Sequence, residues 1–334
     1  MSAATEDHGT TPAPGFRVGT RGSALAMTQT GTVADALAAT SGAGYELVRV
    51  KTEGDVTSGP LSQLGGTGVF AAALRLSLLE AGCDVAVHSL KDLPTTQPEG
   101  LVIAATPARV DVRDALCARD GLRLDELPAG SKVGTGSPRR GAQLKAARPD
   151  LQIVDIRGNV GTRLGRVAGS ARPQDDGGVG RGVHGDLDAV VLAAAGLERL
   201  GLGEHITEYL DPEVMLPAPG QGSLAVEVRT AGTGNAAVDA ALRELDDEPT
   251  RLAITAERAL LGRLEAGCAA PIGALAREVD GALVLTSVVC APDGSSTLRR
   301  SATAAAPGID GARELGVRLA GELLDAGAAE LAGL

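Results

Sequence analysis

The sequence predicts an α/β fold: two successive sheet-and-helix units followed by a smaller α+β unit. Three observations carry this. Short apolar runs alternate with helical stripes up to about residue 230, the mark of βαβ units and a mainly parallel sheet. The alternation starts afresh near Lys132, so it is built twice. From about Ala236 it gives way to one long helical stripe, then strands joined by a tight turn, then a last helix. A chain of 334 residues has room for two or three domains with cores of their own.

In the first unit, residues 16–20 form a strand, and hydroxyls at Thr20 and Ser23 suit the cap of a helix starting near Ala24. A second strand follows at 46–51. Gly65, Gly66 and Gly68 then form a loop leading into a helix over 69–81, where Phe70, Leu74 and Leu78 share one stripe and Gly82 supplies the stop. Residues 84–90 and 101–105 are further strands. The second unit has a strand end at 132–134, a helix at 137–147, a strand at 152–156, a helix at 160–167 and a buried strand at 189–194. Before that last strand, 169–185 is rich in Gly, Asp, Arg and Pro and is expected to be a mobile surface insertion. A strand at 222–228 is placed to return to the first sheet. In the last unit Leu252, Ala256, Leu260 and Leu264 form a stripe ending at Gly267. Strands at 282–289 and 298–304 join through Pro292-Asp293-Gly294, and Leu315, Leu319 and Leu323 mark the final helix.

Composition narrows the function classes. With two Phe, two Tyr and no Trp, the cores must be built from Ala, Val and Leu, and Phe70 beside a glycine-rich loop stands out. A net charge of −11 argues against nucleic acid or an anionic membrane surface as the partner. Cys83, Cys117, Cys268 and Cys290 show neither CxxC pairing nor zinc spacing, so they read as reduced thiols of a cytoplasmic protein. Residues 1–15 lack the basic-then-apolar pattern of a signal peptide and read as a disordered tail. No apolar run approaches the roughly 20 residues of a membrane span.

Charge placement is the strongest local signal. Residues 132–166 hold eight cations, among them Arg139, Arg140, Arg157 and Arg163, against Asp150 and Asp155, a local balance of +6. Most lie where VGTGSPRR and IRGNVGTR open helices, and helix N-termini already favour anions. Arginine adds bidentate recognition of carboxylates. Arg21 repeats the theme at the end of the first strand, with Ser23 as a cap. The segment AVHSLKDLP sets Ser89, Lys91 and Asp92 just past a strand end, where a carboxylate beside an ammonium stays ionised and can steady a cation or exchange protons. His88, inside that strand, reads as a satisfied core histidine. Cys268, in a Gly/Pro loop after a helix, has the access that thiol reactivity needs, while a buried small hydrophobe is the plainer reading for any lone cysteine. The pattern as a whole is that of an arginine-lined cleft for a carboxylate-rich small molecule.

From about Phe16 to the C-terminus the chain resembles the porphobilinogen deaminase (hydroxymethylbilane synthase) family. The likeness rests on TRGSALAMTQ, GGTGVF, DVAVHSLKDLP, VGTGSPRR, IRGNVGTRL, LAAAGLERLG, LPAPGQGSLAVE and AERALLGRLEAGCAAPIG, in this order and spacing. The resemblance implies two α/β domains like those of type II periplasmic binding proteins, with the active site between them, plus a small C-terminal α+β domain. In these terms 16–110 with 218–235 form the first domain, 111–217 the second and 236–334 the third. It implies a dipyrromethane cofactor joined by a thioether to Cys268, and a stepwise condensation of four porphobilinogen molecules onto it. Ammonia leaves at each step and hydrolysis releases hydroxymethylbilane. Asp92 matches the catalytic aspartate that stabilises the electron-poor azafulvene left when ammonia departs. Ser89, Lys91, Asp92, Thr135, Ser137, Arg139, Arg140, Arg157 and Gly158 match cofactor contacts. Arg21, Ser23, Phe70, Arg157, Arg163 and Arg199 match substrate contacts, Phe70 as the loop aromatic that packs on a pyrrole. The family usually works as a monomer. Thr67 stands where many members have a loop lysine, and the insertion at 169–185 has no counterpart. Two other readings stay open on the residues alone. A carboxylate-binding sensor or receptor on the same two-lobed fold needs no Cys268. A phosphoryl or acyl transferase lacks GxxxxGK[ST] spacing and a Ser-His-Asp set.

Overall fold

The computed structural model describes residues 13–50, 69–169, 185–265 and 270–334. Its first sheet contains β1 (Ala13–Thr20), β2 (Ala43–Arg49), β3 (Val85–Ser89), β4 (Leu101–Ala105) and, arriving much later in the chain, β10 (Leu224–Arg229). The order is β2-β1-β3-β10-β4, with β1 parallel to β2 and β3, and β10 antiparallel to both of its neighbours. The second sheet contains β5 (Asp114–Ala118), β6 (Lys132–Gly134), β7 (Gln152–Val154), β8 (Ala189–Ala193) and β9 (Glu208–Tyr209), in the order β7-β6-β8-β5-β9. Here too a parallel trio is followed by an antiparallel strand, β5 beside β8. Each sheet thus receives its antiparallel strand from the chain that has just crossed over from the other. This is the two-lobed α/β class expected.

The helices are α1 (Ala24–Ser41), α2 (Val69–Leu79), α3 (Pro138–Ala147), α4 (Val160–Leu164), α5 (Ala194–Arg199), α6 (Ala236–Leu245), α7 (Glu248–Arg263), α8 (Ile309–Asp325) and α9 (Ala328–Ala332). The third unit packs α7 and α8 on an antiparallel meander of β11 (Ile272–Val279), β12 (Ala282–Cys290) and β13 (Thr297–Ala305). Its core is almost all Ala, Leu and Ile, from Ala256 and Leu260 of α7 to Leu315 and Leu319 of α8. Gly316 lets the two helices touch, since a Cβ there would strike the Ala256 carbonyl. Among the described residues no helix is long and apolar enough to cross a membrane.

Several boundaries differ from the pattern-based expectation. Strand β1 begins at Ala13 rather than 16, because Ala13 pairs with Ala43 across an irregular register. The residue with left-handed backbone after α2 is Ala81 (φ 55°), not Gly82, whose N–H instead closes onto the Ser77 carbonyl at 2.7 Å. Strands β5, β9 and β11 and helices α5, α6 and α9 are not expected from the sequence pattern. β5 opens on Asp114, and a charge at a strand start reads as loop. Helix α6 buries Val238, Ala241 and Leu242 in the core of the first sheet, packed on α1 and β4, so it layers that sheet even though it follows residue 235. Cys83, Cys117 and Cys290 are buried free thiols, as expected; burial pushes Cys117 up to about 12 and Cys290 to about 11.

Candidate active site

On the first sheet the site grows from the C-terminal end of β3. Leu90 and Leu93 are buried, and the Leu90 N–H donates to the Ser223 carbonyl at 3.1 Å, which ties the short 3-10 turn Leu90–Asp92 to the sheet. Pinned on either side by leucine, the turn leaves Lys91 half-buried and Asp92 exposed. Ser89 Oγ donates to Gln29 of α1 at 3.1 Å. Ser23 caps α1, its hydroxyl accepting from the Ala26 N–H at 3.3 Å, and this sets Arg21 just before the helix. Arg21, Gln29, His88, Ser89 and Asp92 line one small cavity, closed by Ala71 and Leu74 of α2.

On the second sheet, β6 leads through Thr135 to Ser137, which caps α3 by accepting from the Arg140 N–H. Gly136 is required here, because a Cβ would lie 2.5 Å from the Ile156 carbonyl. The first turn of α3 carries Arg139 and Arg140, 4% and 5% exposed, and both converge on Asp114 at 2.8 and 2.7 Å. Gln221 Nε2 donates to the same carboxylate at 2.9 Å. Burial would raise the Asp114 carboxyl, but the two guanidiniums hold it far below its ordinary range. Asn159 caps α4, and Gly158 before it has φ +106°, where a Cβ would crowd Thr162. Arg157 and Arg163 flank this corner, and Arg163 Nε donates to the Gly158 carbonyl at 2.8 Å.

The two edges form one electrostatic unit. Lys91 has its pKa brought down to about 8, first by burial and then by Arg140, with Asp92 and Asp114 opposing. Arg163 falls to about 10 through burial and the repulsion of Arg140 and Arg157, against Asp155 and Asp92. In both groups burial is the larger cause and the neighbouring cations add to it, which makes the corner favourable to negative charge. Lys91 and Asp92 of one sheet are therefore gathered with Arg139, Arg140, Arg157 and Arg163 of the other. Arg199 is placed differently: its Nη2 donates to the Gly222 carbonyl at 3.0 Å, and burial lowers its pKa while Glu198 opposes. Phe70 lies in the first turn of α2, while Thr67, Cys268 and most of the 169–185 insertion fall outside the described residues. No cluster of metal-ligating side chains occurs among the described residues.

Sequence reasoning missed Asp114, Gln221 and a second buried joint. Arg109 pairs with Glu257 at 2.6 Å and donates to the Gln221 carbonyl at 2.8 Å, and Glu257 also accepts from the Gly220 N–H at 2.6 Å. The joint fastens both chain crossings to α7. Gly222 (φ +87°) lets those crossings run side by side, as a Cβ there would meet Val110 and Asp111 carbonyls. No local pattern marks Asp114, because Arg139, Arg140 and Gln221 are brought to it only by the fold.

Residues 16–237 match the family model described as porphobilinogen deaminase, dipyromethane cofactor binding domain, and residues 251–325 match the porphobilinogen deaminase C-terminal domain. The porphobilinogen deaminase of Micrococcus luteus is 60% identical over 306 residues, covering 86% of this chain and 81% of that protein. The one from Cutibacterium acnes is 55% identical over 330 residues, covering 96% and 97%. The one from Leifsonia xyli is 54% identical over 326 residues, covering 96% and 94%. With one model spanning the two sheets whose edges share the cationic cluster and the other spanning the third, the chain belongs to the porphobilinogen deaminase family.

Proposed function

We propose that the cations on the facing sheet edges hold the carboxylates of a growing oligopyrrole, and that Asp92 is the catalytic group. As a family member the chain is a hydroxymethylbilane synthase, a transferase with a dipyrromethane cofactor. Each porphobilinogen addition forms one carbon–carbon bond and releases ammonia, and water releases the finished chain. The observation that supports the site assignment is that Lys91 and Arg163, on different sheets, are both acted on by Arg140 and by the accessible Asp92.

The residues fit the cofactor by their chemistry. Every pyrrole of this pathway bears an acetate and a propionate, and the cluster holds more cations than carboxylates. Ser89, Lys91, Thr135, Ser137, Arg139, Arg140, Arg157 and Gly158 would hold it, with Cys268 as the thioether anchor. When bound, dipyrromethane supplies the primer to which new rings are joined. Arg21, Ser23 and Arg163 bind the incoming substrate, and Phe70 packs on its ring. Asp92 accepts hydrogen bonds from pyrrole N–H groups and stabilises the cation that develops as ammonia leaves. Arg139 and Arg140 are already paired with Asp114, so they act best as a prepositioned positive wall.

A carboxylate-binding receptor on the same two-lobed plan is disfavoured by identity above half over nearly the whole chain. The working form we propose is a cytoplasmic monomer that acts on a small molecule. Intact-protein mass spectrometry tests the assignment: wild type carries an adduct of two linked pyrroles, and Cys268→Ser carries none. An unmodified, fully active wild-type protein would sink it.

A further inference from the structure

Glu227 belongs to none of the residues assigned above, yet it is a fully buried carboxylate in contact with His88, which lines the same cavity as Asp92. It lies on β10, paired with Ala86 of β3 and Ile103 of β4, and its side chain is fully buried. Arg75 of α2 donates from Nε to both carboxylate oxygens at 3.1 Å, and its Nη2 lies 3.0 Å from Oε1. Gln97, in the chain just past Asp92, donates at 2.7 Å. His88 Nε2 lies 3.2 Å from the other oxygen, near enough for attraction but outside hydrogen-bond geometry. Burial alone would raise this carboxyl; the groups beside it, the Arg75 guanidinium among them, bring it down.

These three partners come from three separate pieces of the wall around Asp92. His88 lines the small cavity itself, beside Ser89. Arg75 sits one turn beyond Ala71 on the helix that closes that cavity, and five residues after Phe70. Gln97 ends the segment that begins at Asp92. A buried carboxylate needs its partners and fixes them in return. We propose that Glu227 is a positioning residue of the condensation: through Arg75, Gln97 and His88 it holds α2 and the segment after Asp92 in place against β3. The proposal rests on the function assigned above.

The test compares wild type, Glu227→Gln and Arg75→Met as holoenzymes turning over porphobilinogen, well below each melting temperature. Intact mass before the assay reads whether the two-pyrrole adduct is present. The expected result is a complete adduct in both variants, with KM raised about tenfold and kcat lowered by a similar factor, the scale on which small misplacements act. A carboxylate that only stabilises the fold would lower Tm and leave both constants within about twofold of wild type, and that outcome overturns the proposal. Should Glu227→Gln not fold, Arg75→Met decides on the same two constants. A wild-type protein with neither adduct nor turnover would overturn the assigned function and this role with it. Normal wild type beside unaffected variants would overturn this role alone.

Discussion

Asp92 and Asp114 stand in the same electrostatic neighbourhood on opposite sheets, and both bear on Lys91. They are otherwise opposites. Asp114 is fully buried, with two guanidiniums and a glutamine amide on its oxygens. Asp92 is exposed on a short turn held by buried leucines. A carboxylate saturated with donors orients its partners and has no capacity left for a substrate; an exposed one can accept new hydrogen bonds from a ring N–H. Sequence alone presents both as aspartates near basic residues. Burial divides the work between them.

The largest expected effect breaks the accessible side. Asp92→Ala should lower kcat by about 10²- to 10³-fold with circular dichroism and Tm near wild type; a near-normal rate would refute its role. Next comes the buried side. Asp114→Asn should lower unfolding free energy in urea by about 3–5 kcal/mol, because two buried guanidiniums lose their counter-charge. The sign with pH follows: since folding depresses the Asp114 pKa below its ordinary 3.8, its contribution is complete above that value and disappears as pH falls through the folded pKa. Lys91 gives a smaller effect that reads the cleft between them. It is cationic below about 8 and loses charge above it, so affinity for citrate by calorimetry should fall about fivefold, the equivalent of roughly 1 kcal/mol, across that range. Lys91→Met should flatten that dependence. Smallest is Ser137→Ala, which removes the cap of the helix bearing Arg139 and Arg140 and should cost about 1 kcal/mol in thermal unfolding.

What was legible in the sequence was local. Ser23 caps the helix it precedes, and cations of VGTGSPRR and IRGNVGTR act electrostatically on Lys91 and Arg163, as does Asp92. Those features need only a few neighbouring residues to specify them. Asp114, Gln221 and Glu227 were not legible, because their partners lie 25, 107 and 152 residues away and are joined only by the sheets. Arg199 shows the limit from the other side: its spacing matched, while its contacts lie with the Gly222 crossing rather than the cationic cluster. Strand β5 escaped notice for the same reason as Asp114, since the charge that opens it is balanced from elsewhere in the fold.

The late arrival of β10 sets an order of manufacture. On the ribosome, β3 and β4 emerge early, but the strand that belongs between them is not made until residues 224–229. The second sheet has its last strand by Tyr209. The inserted lobe can therefore close first, while the earlier lobe waits with two unpaired strand edges that are open to wrong partners. Glu227 and Ser223 arrive in that same late stretch, so the surroundings of Asp92 are finished only after the chain has travelled out and come back.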